Sequence, residues 1–428
     1  MFSFFLFLSI SSTIGYQFHS TAITTSLRAI DCTHFEACSG CVKNSDLLAV
    51  DRVRSSSMYF KSLDPQYTVK IPTKATSWRV GAKLAVSSAS KFDGGCNFGL
   101  FRANSHEVEP ITECKVHHPS INHVLSILTA ATKKVKTLAN KDLRYVLLNA
   151  ETTTSLVSIT LVWNAESYKE CQPNLSRLEK EIKRLDKETK IVHSIHANYN
   201  VGKGNAISAR GEEKWERLYG PPFIVESMFR SGANGDASGV PLGKLFFSPS
   251  VFRQANFEGF KVIVEEIADF VIKKKFKRIC ELYAGVGMIG LGVLARAGGG
   301  VVDSIRLSDE NPENLICFQK SMRSLGLKEG IATYKKLSAA DAISAGEADG
   351  CECLIVDPPR KGLDDDVLDY CCATDNELRN LVYVSCGFDA LARDVEKLRL
   401  SDWEVSYSKG FILFPGSNHI ENLVIMSR

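Results

Sequence analysis

Apolar and polar positions follow two different spacings along the second half of the chain. Phe260, Val264, Ile267 and Val271 recur at the spacing of one helix face, which predicts a helix in this region. Beyond it, predicted strands and helices alternate in the order RICELYA, MIGLGVLARA, SIRLSD, PENLICFQKSM, CECLIVD, DDDVLDYC, NLVYVSC and DALARDVEKLR, before a last strand at NLVIM. Apolar strands separated by helices are typical of a parallel sheet that is covered on both faces and binds ligands at the carboxyl ends of its strands.

The first half of the chain shows a different pattern. Alternating apolar positions in RVGAKLAVSS and NFGLFRA, with Gly94 and Gly95 between them, predict a hairpin within a β-rich segment over residues 31–125. The next stretch mixes helical spacing, in SINHVLSILTAATKKV and NLSRLEKEIKRLDKE, with the strand-like runs YVLLNA, LVSITLVW and IVHSIHANYN. This mixture predicts a central α+β domain over residues 126–240. The composition of SGANGDASGVPLG predicts a linker before a C-terminal domain, residues 241–428.

The first 30 residues have the composition of a targeting leader. Their apolar start, MFSFFLFLSI, is shorter than the roughly 20 residues that a membrane span needs. The stretch that follows is rich in Ser and Thr, contains Arg28 and has no acidic residue before Asp31. We therefore expect residues 1–30 to direct the protein into an organelle of endosymbiotic origin, a plastid in preference to a mitochondrion. A frayed tail without a targeting role is the alternative.

Composition excludes several classes of protein. The chain has 428 residues, of which 44% are hydrophobic and 24% charged, and its net charge is +3, which excludes a disordered chain, a membrane bundle and a histone-like polycation. Its thirteen cysteines lack the dense, even spacing of a secreted disulfide framework. Some of them are therefore candidates for metal binding or catalysis.

Residues suited to binding a nucleotide-like ligand follow the first two predicted strands of the C-terminal domain. Gly285 and Gly287, in ELYAGVG, let the backbone approach a ligand and open a helix, although a tight turn in any α/β protein could need the same residues. Asp309 ends the next strand, where a carboxylate can accept hydrogen bonds from two ribose hydroxyls. A helix-capping role for Asp309, ahead of Pro312, is the alternative.

Three groups that can take part in catalysis follow later strands. Asp357 precedes two prolines, which stiffen the loop and fix its direction. Cys386 places a thiol at the same edge of the sheet, with Arg393 a few residues further on, whereas a lone cysteine is by default buried and inert. Glu421, in HIE before the last strand, adds a carboxylate that could serve as a base.

A cluster of cysteines precedes the β-rich strands. Cys32, Cys38 and Cys41 lie close together in the chain, and Cys114 supplies a distant fourth thiol. Four thiols at this spacing can hold zinc or an iron-sulfur cluster, and the spacing does not decide between them.

Taken in chain order, these motifs resemble the RNA (uracil-5-)-methyltransferase family. They are FSPSVFRQAN with Gln254 and Asn256, ELYAGVG, DPPRKG, VSC with an Arg-Asp pair seven residues on, and HIE. The resemblance spans roughly residues 32–428 and is greatest to the form without an N-terminal RNA-binding barrel, including plant-type proteins. One departure from the usual pattern is Gly387-Phe388 after the cysteine, where Asn-Pro or Asp-Pro is usual.

The resemblance implies a Rossmann-like class I methyltransferase sheet in the C-terminal domain and an iron-sulfur site in the β-rich segment. It implies methylation of carbon 5 of a uridine in a structured tRNA or rRNA, with Cys386 adding to carbon 6 and Glu421 removing the carbon-5 proton. The residues implied at the methyl donor, S-adenosyl-L-methionine, are Gln254, Tyr283, Gly285, Gly287, Asp309, Asp341 and Asp357. The implied ligands of a [4Fe-4S] cluster are Cys32, Cys38, Cys41 and Cys114.

Two other functions remain open at this point. One is a non-catalytic RNA-binding or folding factor that keeps the methyltransferase fold, against which the joint presence of Cys386 and Glu421 argues. The other is methylation of an exocyclic amine, for which the Asp-Pro-Pro tripeptide would suffice and the thiol would have no use. We expect a monomer that has no membrane contact in its mature form.

Overall fold

The structure is a computed structural model of the 428-residue chain. It describes residues 29–72, 74–89, 94–202, 206–230 and 240–428. The predicted leader, apart from its last two residues, and most of the predicted linker lie outside the described residues.

The described residues contain α-helices in all three predicted segments. They are α1 Asp51–Leu63, α2 Pro119–Val135, α3 Tyr168–Leu185, α4 Phe257–Lys274, α5 Met288–Ala297, α6 Pro312–Ser324, α7 Ala339–Ser344, α8 Asp365–Cys372 and α9 Phe388–Arg399. The strands of the first two segments are β1 Thr68–Lys70, β2 Gly81–Ser88, β3 Cys96–Phe101, β4 Val108–Pro110, β5 Leu143–Ala150, β6 Val157–Trp163, β7 Val192–Tyr199, β8 Trp215–Tyr219 and β9 Ile224–Arg230. The remaining strands are β10 Val240–Phe247, β11 Arg278–Leu282, β12 Ser304–Ser308, β13 Ala332–Lys335, β14 Cys353–Val356, β15 Asn380–Ser385, β16 Glu404–Phe411 and β17 Glu421–Ser427.

The C-terminal half forms an eight-stranded mixed sheet. Its strand order is β1-β16-β17-β15-β14-β11-β12-β13, and the five strands from β11 to β15 are parallel. The predicted parallel sheet is correct for these five strands and wrong for the last part of the chain, because β17 pairs antiparallel with both β15 and β16. No helix connects β16 to β17, and a strand that returns directly along its neighbour can only run antiparallel.

A second sheet of seven strands contains residues from both N-terminal segments. Its order is β4-β3-β2-β5-β6-β7-β8. The predicted hairpin is confirmed, since Ala85 pairs with Gly99 across an antiparallel β2–β3 ladder. Only β6 and β7 are parallel, and the crossover between them contains α3. Strands from both sides of residue 125 therefore build one sheet.

Helix α1 was not expected in the β-rich segment. Its buried side chains are Val53, Ser56 and Phe60, so a serine interrupts the apolar face and weakens the helical pattern in the sequence. The helix packs against α9 and β16, and the strand after it, β1, extends the C-terminal sheet by pairing with β16. A segment from the N-terminal half thus becomes part of the C-terminal domain.

The seven-stranded and eight-stranded sheets both contribute to one large apolar cluster, which includes α4. The predicted face of this helix, represented by Phe260, Val264, Ile267 and Val271, is buried. At the start of the helix, the Asn256 side chain accepts a hydrogen bond from Gly259 N at 2.9 Å, which caps its first turn. None of the helices in the described residues combines the length and the apolar composition that a membrane span needs.

Candidate active site

The strand ends of the C-terminal sheet bring the predicted site residues to one edge. Strands β11, β12, β14 and β15 run in the same direction, so Tyr283, Asp309, Asp357 and Cys386, which follow them, lie along that edge. Strand β17 runs in the opposite direction and begins at the same edge with Glu421. The mixed sheet is therefore what places a carboxyl group beside the thiol.

An open cavity of about 350 Å³ lies at Cys386. Its lining residues include Arg52, Arg360, Gly387, Phe388, Asp389, Asn418 and His419. Arg52 belongs to α1 and the other residues belong to the C-terminal half, so the unexpected helix contributes one wall of the cavity.

The Cys386 thiol is half-buried and lies among groups of both signs. Burial is the main cause that raises its pKa from 9.0 to about 11, and the charges of Glu421 and Asp357 act in the same direction. The charge of Arg360 and a hydrogen bond from its side chain oppose this shift. Arg360 is thus the nearby group that favours the thiolate.

The two carboxyl groups of the site also hold their protons more tightly than usual. Glu421 is 3% exposed, and burial followed by the charge of Asp357 raises its pKa from 4.5 to about 8. Burial raises the pKa of Asp357 from 3.8 to about 7, although part of this residue's surface is accessible to solvent. Burial and the nearness of three acids disfavour their ionisation, and raised pKa values of this kind are typical of functional sites.

The departure Gly387-Phe388 is compatible with a well-packed loop at the thiol. A Cβ atom on residue 387 would lie 2.5 Å from Arg360 O, so the close approach of the two backbones requires glycine. The Phe388 ring contacts the rings of Tyr59 and Phe60 on α1, with centroids 5.9 Å and 6.4 Å apart. Helix α1 therefore supports the residue that replaces the usual proline.

The glycine-containing turn after β11 leaves space for a ligand. Gly285 has φ +55° and an added Cβ would meet nothing within 4 Å, whereas Gly287, with φ +81°, is the N-cap residue of α5. Gly285 N donates a hydrogen bond to Asp309 Oδ2 at 3.0 Å, and the Tyr334 hydroxyl donates one to Gly285 O. Sequence reasoning missed Tyr334, which belongs to a strand that was not predicted.

Asp309 does not cap the helix that follows it. The N-cap of α6 is Asn311, whose side chain accepts a hydrogen bond from Glu313 N at 3.1 Å. Asp309 instead accepts bonds from Asn311 N at 3.0 Å and Asn314 Nδ2 at 2.9 Å. These bonds, with the one from Gly285, fix a carboxylate beside the open turn.

Three further residues predicted at the methyl donor lie in environments that differ from one another. The Tyr283 hydroxyl donates to Asp364 Oδ2 and accepts from Asp364 N, both at 3.0 Å, so its polar group is already engaged. Asp341 is exposed at the start of α7, where the N-cap Ser338 Oγ accepts a bond from Asp341 N at 3.1 Å and donates one to Asp341 Oδ2 at 2.7 Å. Gln254 is half-buried in the segment before α4.

Two residues near the predicted donor site were missed from the sequence. Glu281 is buried, accepts a hydrogen bond from Gly290 N at 2.7 Å and has its pKa raised to about 8, chiefly by burial. This hydrogen bond joins the end of β11 to α5. The position of Glu281 as the first residue of ELYAGVG is the sequence feature that could have indicated its importance. Phe252 is 67% exposed only two residues before Gln254.

The four N-terminal cysteine thiols lie close enough to interact electrostatically. They are Cys32, Cys38, Cys41 and Cys114, all free thiols. Gly40 N donates to Cys38 Sγ at 3.3 Å, and the backbone N–H groups of Val116 and His117 donate to the Cys114 sulfur. Within the described part of the chain, however, no group of three or more His, Cys, Asp or Glu side chains forms a ready-made metal site. The donor set and its N–H···S bonds suit a thiolate-ligated metal group, and its spacing would have to tighten to bind one.

Comparison with known proteins decides the family. An RNA methyltransferase of Protochlamydia amoebophila, described as uncharacterized, is 31% identical over 414 residues, which are 94% of this chain and 99% of that protein. The chain belongs to the RNA methyltransferase family. Residues 326–428 also match the family model "tRNA (Uracil-5-)-methyltransferase", and a Streptococcus pyogenes serotype M1 RNA methyltransferase is 28% identical over 93% of this chain and 84% of its own length. This RNA methyltransferase is therefore an enzyme, which decides against the non-catalytic alternative.

The fold of this RNA methyltransferase is also found in a solved structure. The Pyrococcus abyssi tRNA (uracil-54, C5)-methyltransferase, solved in complex with S-adenosyl-L-homocysteine, superposes with a TM-score of 0.65 over 91% of this chain and 86% of that one, at 20% identity. The predicted α/β methyltransferase fold is confirmed. The iron-sulfur part of that prediction and the predicted domain boundaries stay predictions.

Proposed function

We propose that this RNA methyltransferase transfers a methyl group to carbon 5 of a uridine in a structured RNA. The observation that carries the proposal is the Cys386 thiol at the cavity together with the buried Glu421 carboxyl, which lies close enough to raise the pKa of that thiol. Methylation of an exocyclic amine has no use for a thiol, whereas carbon 5 of uracil is too weak a nucleophile to react without one. The match of residues 326–428 to a uracil-5 family model supports the same substrate.

The chain's own residues would carry the covalent steps. The Cys386 thiolate forms a bond to carbon 6, and the electron pair of the 5,6 double bond moves toward carbon 5 and the carbonyl oxygen. After carbon 5 has taken the methyl group, the Glu421 carboxylate removes the proton from that carbon. The carbon 6–sulfur bond then breaks, which restores the double bond and the free thiolate. Asp357 would hold the polar edge of the base.

The methyl donor in this proposal is S-adenosyl-L-methionine, which when bound supplies an activated methyl group and a positive charge. The open space at Gly285 and the fixed Asp309 carboxylate suit its nucleoside part. The residues that would hold the donor are Gln254, Tyr283, Gly285, Gly287, Asp309, Asp341 and Asp357. Tyr283 would contribute its ring, since its hydroxyl is bonded to Asp364.

The surroundings of the cavity suit a nucleic acid. Arg360 supplies positive charge at its wall, where a phosphate group can bind, and Arg52 lies there paired with Asp389. The exposed ring of Phe252 is a candidate platform for a base, because a uridine must leave its stack to reach Cys386. The RNA is a tRNA or an rRNA, and the action of the Pyrococcus abyssi protein on tRNA favours the first.

We further propose that Cys32, Cys38, Cys41 and Cys114 hold a [4Fe-4S] cluster with a structural role. Burial, followed by the charges that the neighbouring cysteines would carry as thiolates, raises the pKa of Cys41 to about 12, and a cationic metal group would offset both effects. The methyl transfer moves no net electrons, so no redox step is assigned to the cluster. The mature enzyme would act as a monomer in a plastid, without membrane contact.

Nucleoside analysis tests the proposed reaction. The purified enzyme, transcribed tRNA and rRNA fragments and labelled S-adenosyl-L-methionine should yield labelled 5-methyluridine. Cys386→Ala should yield none, and Cys372→Ala, which removes another half-exposed thiol away from the cavity, should behave like the wild type. Label in an exocyclic N-methyl group, or full activity of Cys386→Ala, would show that the proposal is wrong.

A further inference from the structure

The loop that contains Arg360 is fastened to α9 by a buried carboxylate that the proposed reaction does not use. Asp394 is 0% exposed. Its Oδ2 atom accepts hydrogen bonds from Leu363 N at 2.9 Å and from the Tyr383 hydroxyl at 2.7 Å. One carboxylate thus joins the end of the DPPRKG loop to the strand that precedes Cys386.

Arg393 completes this connection on the solvent side. Its Nε and Nη2 atoms donate to Asp394 Oδ1 at 2.9 Å and 2.7 Å, and Nη2 also donates to Lys361 O at 3.0 Å. Gly362 has φ +88°, and an added Cβ would lie 2.5 Å from Asp394 Oδ2. The turn is therefore pressed against this Arg-Asp pair without space for a side chain.

The fastened turn determines where Arg360 lies. This residue immediately precedes Lys361, and its backbone oxygen is the atom that leaves no room for a Cβ at Gly387. Its side chain lines the cavity with Cys386, and its Nη2 atom lies 3.4 Å from His419 Nε2. Movement of the turn would carry the guanidinium away from the thiol.

We propose that Asp394, together with Arg393, is a positioning residue that holds Arg360 against Cys386 and thereby sets the reactivity of the thiol. The inference rests on the proposed role of Cys386. Glu421 and Asp357 face the thiol and oppose its ionisation, so the favourable charge of Arg360 depends on its position. A buried carboxylate with four hydrogen bonds from three groups can fix that position more firmly than a surface ion pair.

Alkylation of Cys386 by iodoacetamide, followed by peptide mass spectrometry, tests the proposal without RNA or methyl donor. We expect Asp394→Asn and Arg360→Gln each to slow alkylation at pH 8 by about tenfold, the effect of a one-unit rise in thiol pKa. If Asp394 acts through Arg360, Cys386 should be alkylated no more slowly in the double variant Asp394→Asn with Arg360→Gln than in Arg360→Gln alone. Asp186→Asn is the matched control, because Asp186 is a buried carboxylate that accepts bonds from Ile191 N and Val192 N outside the C-terminal sheet.

Three results would overturn the proposal. The first is a folded Asp394→Asn variant in which Cys386 is alkylated at the wild-type rate. The second is an Asp186→Asn variant that slows alkylation as much as Asp394→Asn does. The third is a double variant in which the slowing equals the product of the two single effects. If Asp394→Asn does not fold, Arg393→Gln takes its place in the same cycle, because the Arg393 side chain is 60% exposed. Since the assay needs no uridine, its outcome is separate from the test of the proposed reaction.

Discussion

At the scale of single residues, burial and the charge of Arg360 have opposite effects on the ionisation of the Cys386 thiol. Cys386, Glu421 and Asp357 lie close together, and burial is the main cause that raises the pKa of each. The proposed chemistry needs a thiolate and a carboxylate. Ionisation must therefore be favoured by groups of opposite charge, and Arg360 is such a group beside the thiol.

The role of Glu421 predicts a trapped intermediate. Glu421→Gln leaves the thiol in place but removes the acceptor of the carbon-5 proton, so a methylated RNA joined to the protein should accumulate. Denaturing gel electrophoresis with labelled RNA would detect this species. Full turnover without an adduct would mean that another group or a water molecule takes the proton.

Because Glu421 is buried, we predict that the difference in stability between the wild type and Glu421→Gln depends on pH. A carboxyl with a pKa of about 8 in the folded protein, against an ordinary 4.5, binds more protons folded than unfolded, so its contribution to stability decreases as the pH rises from about 4.5 to about 8. Glutamine has no such dependence. We expect the free energy of unfolding of Glu421→Gln, measured relative to that of the wild type, to be about 1–3 kcal/mol higher at pH 8.5 than at pH 5. Thermal unfolding at both pH values checks this, and an equal difference at both would contradict the burial of an ionisable Glu421.

The positions of site residues at strand ends could be predicted from the sequence, whereas the residues that contact them could not. Asp357 and Cys386 follow recognisable apolar strands, so the sequence alone places them at one edge. Glu421 precedes its strand and reaches the same edge only because β17 runs antiparallel to β15. Arg52 and Tyr334 reach the site across distant parts of the fold, and no local pattern shows such contacts. Asp309 was predicted as a candidate ligand, but only the structure shows that Asn311 caps the next helix.

At the scale of elements, α1 and the loop after β15 depend on each other. The Tyr59 hydroxyl donates to Glu396 Oε1 on α9 at 2.7 Å, Arg52 pairs with Asp389, and the Tyr59 and Phe60 rings contact Phe388. These contacts hold a helix from the N-terminal half against the loop that contains the thiol. The sequence did not predict α1, because Ser56 interrupts its apolar face.

The tight contact at Gly387 predicts the effect of one added methyl group. Gly387→Ala should force Arg360 and the loop apart, lowering stability by about 1–3 kcal/mol and slowing methyl transfer. Gly299→Ala is the matched control, because a Cβ there meets nothing within 4 Å. Thermal unfolding and methyl transfer should separate the two variants, and wild-type behaviour of Gly387→Ala would contradict the close approach.

At the scale of the whole molecule, the cysteine segment contacts the loop that precedes Glu421. Val42 N and Lys43 N donate hydrogen bonds to Gly416 O at 2.8 Å and 3.1 Å. This contact connects the proposed cluster site to the active site through the folded backbone. The sequence showed the four cysteines but not this contact, since Lys43 and Gly416 are far apart in the chain.

The proposed cluster predicts the metal content of the purified protein. Protein prepared without oxygen should be brown and contain about four iron atoms per chain. Cys38→Ser with Cys41→Ser should lose the iron, whereas Cys171→Ser, at a buried cysteine on α3 outside the set, should keep it. Stoichiometric zinc without iron, or unchanged iron in the double variant, would contradict the assignment.

The central claim is that Cys386 forms a bond to the uridine during methylation. The most direct measurement uses RNA in which 5-fluorouridine replaces uridine, because fluorine cannot be removed as a proton and the reaction stops at the covalent stage. With S-adenosyl-L-methionine present, mass spectrometry of the digested complex should locate a methylated fluorouridine on the peptide that contains Cys386. A wild-type enzyme that methylates ordinary RNA but forms no adduct with the fluorinated RNA, or forms one at another residue, would contradict the account.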